Sequence, residues 1–434
     1  MSVKILKGDL CFQTESSKFN TLKNGFLVFK DEKIAGVYQN DPRNEYNEYV
    51  DAEFLDFTDK LIIPGLIDTH IHAPQNAFCG TGMDDELIDW LNGVAFPEEK
   101  RYENLSYADA AYDIFVDELK KSATTRAIIF ATIHKDATVL LCKKLEESRL
   151  VTFVGKVNAD SNSPDYLIEK SADESIADTV SFIEAIKDFK YVRPILTPRF
   201  TPACSDGLFD GLRVLQEKYA LPVQSHLSEN LGEIKLVKSL HPETDFYAQT
   251  YDNNGLFGKS KKGVLYNTVM AHCVWSGEDE RSLIKKNGVF VAHSPVSNFN
   301  LSSGIAPIRA YLDEGIKVTL ASDVAAGNVK SMFSVVVYCV QASKAYWRLV
   351  DNTKKPLTFA EAFYAATVTA GEFFKNVGTF KKDYDADVLV LDDAVTPILD
   401  RLPIEKRLER FAYLNCDLIP GAISAKFVRG NRIF

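Results

Sequence analysis

Two textures of hydrophobic and polar positions divide the chain. Over residues 1 to about 60, short apolar runs alternate with charged turns. Phe26-Leu27-Val28-Phe29 and Ile34-Ala35-Gly36-Val37-Tyr38 flank Lys30-Asp31-Glu32-Lys33, the pattern of an antiparallel hairpin. From residue 61 the rhythm lengthens, and short β-branched runs alternate with longer amphipathic segments. That alternation predicts repeated βα units around a parallel sheet. The runs lie at 61–70, 124–130, 151–157, 192–197, 222–226, 268–272, 289–293 and 317–323. Between them, Ser106 with Asp109 predicts a capped helix start before 107–121, and Ser276 with Asp279 one before a segment ending near Asn287. Segments 173–190 and 208–219 carry apolar residues at helical spacing, and Thr358 with Glu361 opens a further helix through about Phe374. Segments 386–392 and 425–434 then read as strands again.

Eight strands alternating with helices over about 260 residues have the size and rhythm of a (β/α)8 barrel. The expected fold is therefore α/β, a (β/α)8 TIM-type barrel over 61–379. Both ends of the chain are strand-rich, so 1–60 and 380–434 are expected to pair into a small β-sandwich domain beside it. Composition adds limits. At 434 residues, 46% hydrophobic and 25% charged, the chain is neither disordered nor fibrous. A net charge of −10 repels a nucleic-acid backbone and suits a small neutral or cationic substrate. Seven scattered cysteines without a Cys-x-x-Cys pair argue against a disulfide framework or zinc ribbon and for a reducing cytosol. No apolar stretch reaches membrane-spanning length, and charges arrive early in Met1-Ser2-Val3-Lys4, so an intracellular, soluble protein without a signal segment is expected.

Candidate chemistry collects at the ends of the runs. His70, His226, His272 and His293 close apolar runs, His72 and His134 lie just beyond theirs, and only His241 sits elsewhere. Barrel proteins place their chemistry at the C-terminal ends of the strands, so six histidines are expected at one mouth. Positions i and i+2 of a strand share a face, so His70 and His72 aim at one point. Neutral imidazole is a favoured ligand for divalent transition metals. Glu229 follows His226 by three residues and can lean over the same mouth. Asp323 ends the apolar run that begins at Val318, and a lone carboxylate buried there costs several kcal/mol unless a cation compensates it. His70, His72, His226 and Asp323 together make a borderline N/O set suited to zinc, with iron(II) or manganese(II) as alternatives.

In order along the chain, Pro64-Gly65-Leu66-Ile67-Asp68-Thr69-His70-Ile71-His72, Ser225-His226-Leu227-Ser228-Glu229, Ala271-His272 and Ser322-Asp323 resemble the amidohydrolase superfamily of metal-dependent hydrolases. Within it, His72-Ala73-Pro74-Gln75, residues 130–136, Val154-Gly155-Lys156-Val157, Thr197-Pro198-Arg199-Phe200 and residues 224–230 are similar to the members that deaminate guanine. The resemblance implies one zinc ion per chain on His70, His72, His226 and Asp323. It implies Glu229 as proton shuttle, His272 as the group that orients or contacts the attacking water, and Asp323 as proton acceptor. Gln75, Arg199 and Phe200, with His226 and Glu229, would hold the purine. The implied activity is hydrolytic deamination of guanine to xanthine and ammonia by a cytoplasmic homodimer. Arginine presents its donors in a fixed fork, which suits a carbonyl acceptor on the base rather than an amino group.

Departures from the family pattern are His293-Ser294-Pro295-Val296-Ser297-Asn298, where the family carries His-Cys-Pro-x-Ser-Asn, and a degenerate Leu414-Asn415-Cys416-Asp417. A second metal is not expected. Binuclear relatives carry a carboxylated lysine at the end of the fourth strand, and here that strand leads into Thr197-Pro198-Arg199, leaving Lys156 near the third strand as the nearest lysine. The same ligand set serves deamination of 8-oxoguanine, cytosine and related heterocycles, and a non-catalytic scaffold on the same fold is the alternative of another class. The deaminase fold marked by His-x-Glu and Pro-Cys-x-x-Cys is excluded, since neither element is present.

Overall fold

The structure is a computed structural model that describes residues 3–397 and 402–434. Residues 1–2 and 398–401, which fall in the expected terminal domain, lie outside them. Both ends of the chain build one seven-stranded sheet. Val3–Glu15 pairs antiparallel with Lys18–Lys30, which turns back into Lys33–Tyr38, so the expected hairpin is present within a longer one. On its other side Val3–Glu15 runs parallel to Glu53–Pro64, and that strand meets Val388–Leu391 antiparallel, with Val388 opposite Pro64. Ile423–Val428 and Asn431–Arg432 complete the sheet. A separate apolar cluster that includes Leu6, Leu10, Leu27, Phe29, Val388, Val390 and Phe427 packs it.

The run expected as a single strand from 61 divides at Gly65. Residues 61–64 finish the terminal sheet, and Leu66–His72 begins the next one. The break has a steric cause: a Cβ on Gly65 would lie 2.2 Å from Thr125 Cγ2, so only glycine lets the chain pass that close to the neighbouring strand. Two four-stranded parallel sheets follow. Leu66–His72, Thr124–Phe130, Val151–Gly155 and Val192–Pro194 form the first; Val223–Leu227, Thr268–His272, Phe290–His293 and Lys317–Leu320 form the second. Nearly every residue in them is buried, which is why they read as unbroken apolar runs instead of alternating ones. Backbone hydrogen bonds join the sheets at both sides. Gln224 N donates to Leu196 O at 2.9 Å, Asp323 N to His70 O at 3.0 Å, and His72 N to Val324 O at 3.1 Å.

Helices cover the sheets, with corrections at their starts. Asn104, not Ser106, caps Leu105–Lys121, its Oδ1 accepting from Ser106 N at 2.9 Å and Tyr107 N at 3.3 Å. An amide side chain two residues earlier reaches the same orphan N–H groups. Gly277 precedes Glu278–Asn287 without a side-chain cap, and Glu278, Asp279 and Glu280 face the positive end of the helix dipole instead. Ser171 caps a helix that ends at Ala185, well before 190. The reciprocal Thr358–Glu361 cap is as expected. Met332–Leu349 has no counterpart in the sequence analysis, because Met332 to Val337 are all buried and the exposed polar positions Gln341, Lys344 and Arg348 come only in its second half. No described helix is long and apolar enough to cross a membrane.

Two buried cations fasten the terminal sheet to the rest. Arg126 Nε donates to Asp387 at 2.7 Å and its NH2 to Asp385 at 2.8 Å. Lys426, fully buried, donates to the carbonyls of Leu119, Lys120 and Ser122 at 3.1 Å each and to Thr124 O, so it caps the C-terminal end of Leu105–Lys121.

Candidate functional site

Every residue expected to hold the metal, the water or the base except His70 lines one cavity, and His70 meets His72 and Asp323 at its floor. Leu66–His72 presents His70 and His72 from one face, and their Nε2 atoms lie 3.1 Å apart. His226, next to last in Val223–Leu227, sets its Nε2 3.3 Å from that of His72. Asp323 Oδ1 is 3.1 Å from His70 Nε2 and 3.5 Å from His72 Nε2. At the strand ends the backbone turns sharply: Ser228, His272 and Asp323 adopt φ of 47°, 72° and 49°. Such left-handed residues cost about 1–3 kcal/mol each, a strain commonly found where side chains are aimed for function.

These donors fit a metal ion. His226 Nδ1 lies 2.6 Å from Arg199 O, and since a carbonyl only accepts, Nδ1 carries the proton and Nε2 points a lone pair at the other donors. Four ligands about 2.1 Å from a tetrahedral centre would lie about 3.4 Å from one another, and the His70–His72, His72–His226, His70–Asp323 and His72–Asp323 separations of 3.1, 3.3, 3.1 and 3.5 Å are close to that. Two overlapping groups, His70–His72–Asp323 and His70–His226–His272, keep their ligand atoms within 4.8 Å of one another. Burial, then the charge on His70, pushes His72 and His226 well below the ordinary imidazole range, so both offer lone pairs. Burial alone would raise the Asp323 carboxyl, but His70, His272 and His72 around it hold it below the usual carboxylate range. Asp68 steadies the group from behind, accepting from His70 N at 3.3 Å and from Ser322 N at 3.1 Å.

Glu229 behaves oppositely. Burial, then the Asp323 charge, pushes its carboxyl well above the usual range, against the pull of the Ser303 hydroxyl donating to Oε1 at 3.1 Å. Two carboxyls with opposed proton affinities in one cavity form an acid–base pair. His272 stands between them, with Nε2 3.3 Å from Glu229 Oε2 and 3.8 Å from Asp323 Oδ2. Its Nδ1 is held by Asn298 Oδ1 at 3.0 Å. Farther up the cavity, Arg199 and Gln75 are both buried and both tied to Glu99. Arg199 NH1 and NH2 donate to it at 2.6 and 3.0 Å, and Gln75 Nε2 at 2.8 Å. Phe200, packed on Ala159 and Ala203, supplies an apolar wall.

Residues 61–428 match the sequence profile of the Amidohydrolase family. This chain belongs to that family. The guanine deaminase of Dictyostelium discoideum is 33% identical to it, over 99% of this chain and 98% of that protein. A crystal structure of guanine deaminase from C. acetobutylicum with bound guanine in the active site is similar at a TM-score of 0.94 and 46% identity, covering all of both chains. An atrazine chlorohydrolase from Arthrobacter aurescens complexed with zinc shares the fold at a TM-score of 0.81 and 17% identity.

Within this amidohydrolase site, some expectations about single residues need correction. Of the six histidines expected at the mouth, four meet. The pairing of Ala271 with Ala292 sets His293 beside His272, but His293 does not line the cavity; neither of its ring nitrogens has a hydrogen-bond partner among the described residues, and burial pushes it down to about 3. His134 lines a separate groove with Tyr102 and Glu103. Lys156 is buried against Glu169 and donates to Val157 O at 3.1 Å, away from the donors that converge on Asp323. Glu99, Ser303, Leu87 and Trp90 escaped the sequence reading. Glu99 sits in Phe96-Pro97-Glu98-Glu99-Lys100, whose charges read as a solvated helix face.

Proposed function

We propose that this amidohydrolase deaminates guanine hydrolytically, giving xanthine and ammonia. One observation carries the reading: His72, His226 and Asp323 of the donor set line the same cavity as Glu229, Arg199 and Gln75. The whole-length likeness to guanine deaminases supports the same substrate. His70, His72, His226 and Asp323 would hold one metal ion per chain, zinc by the tetrahedral spacing of the N/O set, with iron(II) and manganese(II) as the alternatives. When bound, such an ion makes a water acidic enough to attack at neutral pH.

The chain's own groups then divide the proton work. Asp323, held ionised, accepts a proton from the attacking water at Oδ2. Glu229, pushed toward its protonated form, donates to ring N3 as the C2–O bond forms; the proton taken by Asp323 then passes to the amino group as the C2–N bond breaks, and the proton left on the C2 hydroxyl returns to Glu229 as the carbonyl forms. His272, its Nδ1 held by Asn298, faces Glu229 Oε2 with Nε2 and so orients that carboxyl beside the attacking water. Arg199 and Gln75 orient the base, His226 and Glu229 contact it, and Phe200 keeps its face dry.

The hydrogen bonds between the two parallel sheets support reading 61–379 as one (β/α)8 barrel of TIM type, and the seven-stranded sheet supports 1–60 with 380–434 as one composite β domain, built on a single sheet that runs on through Pro64. Seven unpaired thiols suit a cytoplasmic setting, the likeness to guanine deaminases supports a small purine base as substrate, and a homodimer is what the family resemblance implies. The test is ammonia release from guanine, 8-oxoguanine, adenine and cytosine by zinc-loaded protein, with metal analysis of the protein as purified. Guanine should dominate. A clear preference for another heterocycle would overturn the substrate, and no release from any would favour a scaffold.

A further inference from the structure

We propose that Glu99 is a positioning residue that sets the pocket's preference for a neutral base over an anionic one, through the charge-compensated donors it holds on Arg199 and Gln75. The proposal rests on the guanine reading for the identity of the ligand. Glu99 is 1% exposed and does not itself line the cavity. Its Oε1 accepts from Gln75 Nε2 at 2.8 Å and Arg199 NH2 at 3.0 Å, and its Oε2 from Arg199 NH1 at 2.6 Å. A carboxyl that accepts at both oxygens from a guanidinium is ionised.

The pairing changes what Arg199 can recognise. An uncompensated guanidinium in a buried cavity would attract any anion strongly, because the low dielectric leaves its field unscreened. With Glu99 bound end-on to NH1 and NH2, the charges cancel toward a ligand, and what remains on the cavity side is a set of N–H donors. Those donors suit a neutral carbonyl. Phe96 under the guanidinium at 4.7 Å, and Ala325 N donating to Gln75 Oε1 at 3.3 Å, keep both side chains from turning to another partner. Xanthine, the product on this reading, loses a ring proton more readily than guanine does. Its anion would meet the Glu99 charge behind Arg199 instead of an uncompensated guanidinium, so the arrangement binds substrate while releasing ionised product.

Glu229, Glu233, His72, His226, His272 and Asp323 also face the cavity. They are unchanged by substitution at 99, so the ratio of variant to wild type at one pH isolates Glu99. The experiment is calorimetric binding of xanthine to zinc-loaded wild type, Glu99→Gln and Glu99→Asp, below and above the pH at which xanthine ionises, alongside guanine kinetics. Wild-type affinity should fall as xanthine ionises. Glu99→Gln should bind the anion roughly tenfold or more tighter than wild type does, while its KM for guanine rises by a similar factor. Glu99→Asp should keep the wild-type order. A merely structural loosening would weaken both forms of xanthine alike, and that result, with full zinc retained, overturns the proposal. So does a wild type that prefers the anion or binds neither form, which decides the matter even if Glu99→Gln does not fold. Absence of ammonia from guanine would retire the substrate reading alone, since xanthine binding needs no turnover.

Discussion

Replacing Arg199 by methionine separates recognition from metal chemistry, and the structure sets the size of the effect. The substitution leaves Glu99 buried with only Gln75 donating to it. Breaking a buried ion pair by removing one partner costs about 3–5 kcal/mol. The methionine stem still covers Phe96, so little cavity cost is added. With an unfolding entropy of roughly 0.9 kcal/mol/K for a chain this long, Tm should fall by about 3–5 °C. Loss of the donors to the base carbonyl should remove about 2–4 kcal/mol of transition-state binding, roughly 30- to 900-fold in kcat/KM for guanine. Zinc content should not change, because His226 leans on the carbonyl of Arg199 and not on its side chain. The double variant Arg199→Met/Glu99→Gln removes the orphaned charge and should regain most of the lost Tm without regaining activity. Calorimetric melting, metal analysis and steady-state guanine kinetics on the three proteins read all of this. A double variant that turns guanine over within tenfold of wild type, or an Arg199→Met protein that melts like wild type, would refute the reasoning.

Further expectations concern the floor of the cavity. His226→Ala should lose metal and activity together, since water fills a missing imidazole poorly; stoichiometric metal at nanomolar free zinc would remove His226 from the ligand set. Glu229→Gln should keep its metal and lose about 10²–10⁴ in kcat, because the amide matches the shape but cannot release a proton, and a near-wild-type rate would clear Glu229 of the shuttle role. Burial, then the nearby Glu229, pushes Glu233 from 4.5 up to about 7, so the folded protein holds a proton there that the unfolded chain has released. That stabilisation is full below about pH 4.5 and lost as pH rises through about 7. The Tm of wild type minus that of Glu233→Gln should therefore shrink across this window, and a flat difference would mean that Glu233 does not titrate there.

What could be read from the sequence follows from where polar groups are costly. Strands buried on both faces tolerate histidines and aspartates only where something compensates them, so His70, His72, His226, His272 and Asp323 stood out at the ends of apolar runs. The same argument overreached for His134 and His293, because a strand end fixes a side chain's height but not the direction in which it leans. Glu99 was illegible for a different reason. Its partners, Gln75 and Arg199, are distant in sequence, and among Glu98, Lys100 and Arg101 a buried carboxylate looks like any exposed one. Met332–Leu349 was missed because periodicity reports a boundary between water and core, and Met332 to Val337 show none; Gln341, Lys344 and Arg348 mark the outer face only in the second half of the helix. Capping was legible only in outline. Asn104 and Ser106 offer nearly equivalent acceptors, and the choice between them depends on where the preceding turn releases the chain.

The strand Glu53–Pro64 completes its hydrogen bonding only with Val388–Leu391, near the other end of the chain. On a ribosome adding about 5–20 residues per second, its edge waits roughly 15 to 65 s for that partner. Through that interval Leu61, Ile62 and Ile63, wholly hidden in the finished protein, stand as an open apolar edge of the kind that recruits other chains or a chaperone. The order of synthesis runs the other way for the chemistry: His70, His72, His226 and Asp323 have all left the ribosome before Val388 does. The nascent chain thus carries every donor of the proposed metal site while one flank of its first sheet is still unzipped.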